Sequence, residues 1–188
     1  MKNKSWLIII GIVVLLGVYV MGVQRSLVNL SEDVNASLGD IEVQYQRRAD
    51  LIPNIVATVK AQAIKEQEIF TQIAEARAKL AGATNIQDRA TASDEVSSVL
   101  GRLLVITENY PQLKQNEGFQ DLRIELEGTE NRIAVTRKYY NDNVKIYNKK
   151  IKVFPTNITA GILGYDEFQY IQSAPGAEKT PDVNNLLK

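Results

Sequence analysis

The chain has 188 residues, 45% of them hydrophobic and 23% charged, with no His and no Cys, and its 22 basic residues balance its 22 acidic ones. Without imidazole or thiol there is no Ser-His-Asp chemistry, thiolate nucleophile, His or Cys metal site, disulfide or lipid-bearing cysteine. Without a basic excess there is no overall electrostatic footprint for nucleic acid, and the size allows one modest domain beside a membrane segment.

Residues 1–5 are read as a short cytoplasmic N-terminus. From Trp6 to Val23 no side chain is charged or strongly polar, and at the helical rise this run spans roughly 27 Å, close to the hydrocarbon thickness. Trp6 and Tyr19 stand toward its two ends, where amphipathic rings prefer the interface. A cleaved secretory signal is the competing reading, but its apolar stretch is shorter and ends at a small-residue site that Val20 to Ser26 lack. The expectation is an uncleaved transmembrane helix over 6–23. Lys2 and Lys4 precede it and Arg25 alone follows closely, which puts the N-terminus inside and the body outside the cytoplasm, anchored in the cytoplasmic membrane.

Leu27, Leu30, Val34, Leu38, Ile41 and Tyr45 then follow one another at steps of three and four, a helical stripe. A second stripe comprises Ile52, Ile55, Val59, Ile69, Ile73, Ala76 and Leu80. Between them lies Arg47-Arg48-Ala49-Asp50-Leu51-Ile52-Pro53. Pro53 either kinks one long helix or sits in the first turn of a new one capped by Asp50. The new helix is the reading adopted, because cap and proline agree on one start. Gly82 is placed to end it, Asn85 and Asp88 suit a loop over 81–91, and Thr91 with Asp94 resembles a capping box for the next helix. Tyr110-Pro111 interrupts that helix. The last long helix starts after Asn116, carries Leu122, Leu126, Ile133, Tyr140, Val144, Tyr147 and Ile151 on one face, and stops before Pro155. One short helix follows within 157–164, and residues 165–188 read as an extended or disordered tail.

The fold class expected is therefore all-α: an N-terminal transmembrane helix, then an up-and-down antiparallel four-helix bundle of long helices over residues 24–164.

The segments Gln46 to Asn54, Glu108-Asn109-Tyr110-Pro111-Gln112-Leu113-Lys114, Thr129-Glu130-Asn131-Arg132-Ile133-Ala134, Tyr140-Asn141-Asp142, Tyr147-Asn148 and Phe154-Pro155 resemble, in order and spacing, the motifs of the LemA family. The likeness covers roughly residues 24–170, and its ordered succession is more specific than any one motif. It implies a bacterial protein with a single N-terminal anchor and a helical-bundle domain. Where members of that family often carry a His after the Pro53 segment, this chain has Lys65.

Among the polar residues, Arg47, Arg48 and Asp50 fit either a clamp for an anionic ligand or a structural junction. The structural role is the expectation, with Glu108, Glu130 and Arg137 as candidate members of the same polar layer and Pro53, Tyr140 and Asn141 as further structural positions. Arg48 falls seven residues from both Ile41 and Ile55, on the apolar stripe, and is expected to be buried against a carboxylate. Glu125, Glu127 and Glu130 fill the solvated face of a long helix more readily than an acid–base pair. Tyr139, Tyr140 and Tyr147 with Asn141 and Asn148 offer an aromatic, amide-lined pocket for a sugar or peptide, but Tyr140 and Tyr147 fall on the apolar stripe, where core packing is the expectation. No catalytic, cofactor or metal residue is assigned, and no enzymatic activity is expected.

Helix lengths suggest one more property. Residues 24–50 and 117–152 make helices of about 40 and 54 Å, while 92–110 supply about 28 Å, so part of the stripe Leu27, Leu30, Val34, Leu38 and Ile41 is expected to lie uncovered and to join copies of the chain. The alternative is that the short helix after Pro155 or the tail folds over it. The functional reading is a structural, assembly or scaffold protein of the cell envelope. Its partners are the lipid bilayer, copies of itself and other envelope proteins. The alternative is a ligand-sensing module signalling through its anchor.

Overall fold

The computed structural model describes the backbone of residues 2–61 and 67–172, with side chains from Trp6 onward. All regular structure among the described residues is helical: α1 (Lys2–Ala61), α2 (Gln67–Gly82), α3 (Ile86–Thr107), α4 (Pro111–Lys114), α5 (Glu117–Lys152) and α6 (Thr156–Leu163). The side chains of Lys2 and Lys4, residue Lys65 and the last part of the tail, 173–188, lie outside the described residues.

Two helix starts differ from the sequence reading. Asp50 opens no helix: α1 runs through it, with Pro53 inside. An interior proline removes one hydrogen bond and costs about 3 kcal/mol, but Ile52, Ile55 and Val59 beyond it are buried, and each contributes roughly 1.5–3 kcal/mol. Packing therefore carries the helix past the proline, and Asp50 accepts a hydrogen bond from Gln46 Nε2 at 2.8 Å instead of capping. The second stripe is consequently divided between the end of α1 and α2. The second difference is at α3, which starts at Ile86 and not near Thr91. Asn85 is the cap, its Oδ1 accepting from the Asp88 backbone N–H at 2.8 Å, while Thr91 donates to the Gln87 carbonyl inside the helix. The long loop over 81–91 thereby shrinks to residues 83–85.

The other boundaries follow the local chemistry. Pro111 occupies the first turn of α4, where its missing N–H has no helical partner to lose. Asn116 Oδ1 accepts from the Phe119 N–H at 2.9 Å at the start of α5. Gly164, at φ 74°, closes α6 in the left-handed conformation, and the Tyr165 N–H then reaches the Ala160 carbonyl at 3.0 Å.

The chain divides into two compact units. Among the described residues, one comprises residues 43–134 with 171–172. Its core draws on the end of α1 (Tyr45, Ile52, Ile55, Val59), on α2 (Ile69, Phe70, Ile73, Leu80), on α3 (Val96, Val99, Leu100, Leu103), and on Leu113, Phe119, Leu126 and Ile133. Lys79 and Glu95 tie α2 to α3 at 2.6 Å, and that hydrogen-bonded carboxylate raises the Lys79 pKa.

The other unit comprises residues up to 42 with 135–170. Here Asn143 of α5 donates to the Asp33 carbonyl of α1 at 3.1 Å. Asp33, Ala36, Ser37 and Asp40 share a groove with Thr136, Tyr139 and Asn143. With Asn143 fixed beside Asp33, Thr136 reaches the remaining α1 residues only when the two helices run antiparallel. The core of this unit is Val23, Leu27, Val34 and Ile41 with Tyr140, Val144, Tyr147, Ile151 and Ala160.

This packing corrects the expected uncovered stripe. Leu27, Val34 and Ile41 are each 0% exposed, and Leu30 and Leu38 are half-buried. The second half of α5, with α6 and the segment after it in the same unit, supplies the cover that the comparison of helix lengths lacked. Trp6 to Tyr19, by contrast, are all exposed, in a helix long and apolar enough to cross a membrane.

Residues 165–172 are extended and docked rather than disordered. Asn148 donates through Nδ2 to the Phe168 carbonyl at 2.8 Å and accepts from the Phe168 N–H at 3.0 Å. The Phe168 ring meets Tyr147 edge-on at 4.9 Å, and the Tyr140 hydroxyl donates to the Gln169 carbonyl at 2.9 Å.

Candidate functional site

Among the described residues, the largest fully buried side chain is Arg48, 0% exposed. It lies on α1 between Tyr45 and Ile52, and helical spacing carries it into the core of the 43–134 unit. Its Nη1 donates to the Ser93 carbonyl at 3.2 Å, to Ser93 Oγ at 3.0 Å and to Ser97 Oγ at 2.7 Å, all on α3. Its Nη2 donates to Glu130 Oε2 of α5. Ser97 Oγ lies 2.9 Å from that same carboxylate oxygen and 3.0 Å from the Ser93 carbonyl, so its single proton serves one or the other. One guanidinium thus joins three helices, and its charge is answered by a carboxylate whose side chain is 55% exposed. Water reaches Glu130 while Arg48 stays dry, which keeps the carboxylate's desolvation cost low.

The other motif residues are distributed around this junction or placed in the second unit. Arg47 turns outward and pairs with Glu125 at 2.8 Å. Asp50, Pro53 and Glu108 are exposed, Glu108 just past the end of α3. Neither Asp50 nor Glu108 joins the Arg48 hydrogen bonds described above. Arg137 and Asn141 are half-buried on the part of α5 that belongs to the other unit. Glu127 faces Arg123 at 3.5 Å. The carboxylates Glu125, Glu127 and Glu130 are therefore each held by an arginine.

Two partners of Arg48 escaped the sequence reading. Ser93 and Ser97 continue the stripe of Val96, Leu100 and Leu103 at helical spacing, and a small hydroxyl at a core position is the signal that could have found them. Asn148, named in the sequence as a candidate pocket residue, clamps the extended segment through a peptide-like pair of hydrogen bonds.

In the unit formed by residues up to 42 and 135–170, Tyr140 and Tyr147 are buried, and burial pushes both hydroxyl pKa values up. Tyr139 is 61% exposed and lines an open groove of about 350 Å³ with Asp33, Asp40, Thr136 and Asn143. Lys138 beside it donates to Asp142 at 2.7 Å, and that hydrogen bond raises the lysine pKa. No group of three or more carboxylates is placed to hold a metal ion among the described residues.

These features define a class: an all-helical protein with one N-terminal helix able to span a membrane, and a core stitched by an arginine–serine–glutamate layer. The chain matches the LemA family over residues 37–184 and belongs to it. It is 26% identical to the magnetosome proteins MamQ 1 and MamQ 2 of Paramagnetospirillum magneticum, over 87% of this chain and 69% of each relative. Over 85% of this chain and 68% of the relative, it is 24% identical to the magnetosome protein MamQ of Magnetospirillum gryphiswaldense.

Proposed function

We propose that the chain is a membrane-anchored, non-enzymatic scaffold of the LemA type. Residues 6–23 cross the bilayer with the N-terminus in the cytoplasm. Residues 24–164 form an up-and-down four-helix bundle on the far side, and the bundle assembles with envelope proteins, copies of itself among them. The observation that carries this reading is the direction of the motif residues: Arg48, Tyr140 and Asn148 turn inward and hold the chain to itself, whereas Trp6 to Tyr19 remain uncovered. Arginine engagement of Glu125, Glu127 and Glu130 supports the absence of acid–base chemistry.

Contacts between copies run through the exposed Val135, Tyr139 and Ile146 of α5, because Leu27, Val34 and Ile41 are occupied. Confinement to one plane in one orientation raises effective concentration and makes a weak contact productive. Since the chain has no Cys, Ile146→Cys gives clean cross-linking in native membranes. Dimers or ladders are expected; monomer bands alone would refute assembly between copies. Protease added to intact spheroplasts is expected to remove the body, and survival until lysis would overturn the orientation.

The groove at Asp33, Asp40 and Tyr139 favours a second reading, a sensing module whose ligand contacts α1 directly. Its two aspartates suit a small cation-bearing ligand. A thermal shift with simple polyamines that is lost in Asp40→Asn supports this reading, and no shift disfavours it.

A further inference from the structure

From Val153 to Tyr165 the chain carries no charged residue. Within this stretch α6 is inverted relative to a soluble surface helix: Thr156, Thr159 and Ala160 are buried, whereas Ile158 is 56% exposed and Ile162 79%. Phe154, just before α6, is 74% exposed, and Val153 and Leu163 are exposed as well. An amphipathic helix that turns its isoleucines outward and its threonines inward is built for an apolar neighbour.

Position within the unit says which neighbour. Asn143 sits beside Asp33 on antiparallel helices, and about 13 Å further along each brings Lys152 level with Gln24. Gln24 directly follows the apolar run that ends at Val23. Burial along α1 begins at this level, with Val23 7% and Leu27 0% exposed, while Tyr19 is already 38% exposed. The outward row of α6 therefore emerges where the anchor enters the bilayer. Lys149 and Lys150, in the last turn of α5, stand about one turn nearer the body, at headgroup height, whereas Lys152 is held by Glu167 at 2.6 Å.

We propose that Phe154, Ile158 and Ile162 form a second membrane contact, an interfacial foot that lies in the leaflet from which the body emerges, with Lys149 and Lys150 facing anionic headgroups. The anchor fixes the lateral position and the foot fixes the tilt and rotation of the body against the bilayer. Such helices lie roughly 5–10 Å into the headgroup–acyl boundary.

The proposal rests on residues 6–23 spanning the membrane, and the test separates the two. Trp6 is the only tryptophan, so in the native full-length chain, reconstituted in vesicles with anionic lipid, its quenching by lipids brominated on the acyl chains reports the anchor. In a Trp6→Phe background, Phe154→Trp and, separately, Ile162→Trp report the foot, with helicity checked by circular dichroism. Quenching by bromines near the glycerol is expected to exceed that by bromines near the terminal methyl by roughly twofold, with little quenching by aqueous iodide. Iodide quenching without lipid quenching overturns the foot while leaving the anchor intact. Protection from both quenchers also overturns it, because the row is then covered by another copy or by the chain itself. Loss of Trp6 quenching in the native chain removes the anchor and the foot together.

Discussion

The Arg48 layer makes an asymmetric prediction. Glu130→Ala takes the carboxylate from a guanidinium whose side chain is 1% exposed, leaving a buried charge without that compensation, which costs roughly 3–5 kcal/mol. Arg48→Met removes the charge itself and keeps an unbranched apolar side chain, two atoms shorter, in the core. It loses the bonds to Ser93 and Ser97, but Glu130 is half in water and resolvates. The remaining cost is that of one or two modest buried hydrogen bonds, about 1–3 kcal/mol. Removing the exposed partner is thus more damaging than removing the buried one. For a chain of this size 4 kcal/mol corresponds to a fall in Tm of roughly 10 °C. Urea unfolding of the full chain in detergent, read by circular dichroism, gives both values. If Arg48→Met costs as much as Glu130→Ala, or neither moves the midpoint, the layer does not hold the helices as described.

Three further outcomes follow from the geometry. Asn148→Ala removes both hydrogen bonds to Phe168 and costs about 1–3 kcal/mol; hydrogen exchange is expected to show the Phe168 amide losing its protection while the α3 amides keep theirs. Because burial raises the Tyr140 pKa above 10.0, the unfolded chain releases that proton first as pH rises. The associated stability is present below pH about 10 and lost above it. Alkaline unfolding is therefore expected to begin at higher pH in Tyr140→Phe than in the native chain, and coincident curves would contradict this. Asn85→Ala is expected to cost about 0.5–2 kcal/mol as a lost helix cap, and Thr91→Ala much less, by thermal melts of the two variants side by side.

Much of this architecture was legible in the sequence because periodicity is a dense signal. The stripes of α1 and α5 fixed their buried faces, and Arg48 announced itself by interrupting one. The starts of helices were harder, because a cap is a local competition that tertiary packing can overrule. Asp50 and Pro53 agree on a beginning, yet the apolar residues on both sides favour continuation. Thr91 and Asp94 satisfy a capping pattern, but Asn85 reaches a free N–H earlier and wins. Leu27, Val34 and Ile41 were misjudged because counting helix lengths ignores where an antiparallel partner begins. Asn143 sets α5 against Asp33, so its second half shares a unit with Leu27, Val34 and Ile41.

The polar core residues also explain why the motifs carry so little visible chemistry. An apolar stripe alone permits two helices to slide by a turn at small cost, since one Leu replaces another. Arg48 against Ser93, Ser97 and Glu130 does not permit this. A shift of one turn, about 5.4 Å, would break the present pairing of the guanidinium with Ser93, Ser97 and Glu130 taken together. Asn148 acts in a similar way on the extended segment, engaging both the N–H and the carbonyl of Phe168 at 3.0 and 2.8 Å. A slip by one residue would turn the next backbone N–H and carbonyl to the opposite edge, away from Asn148. Residues that look like a ligand clamp in the sequence thereby specify one register in each unit. A fixed register is what the proposed scaffold role requires, because it holds the exposed surface in one orientation.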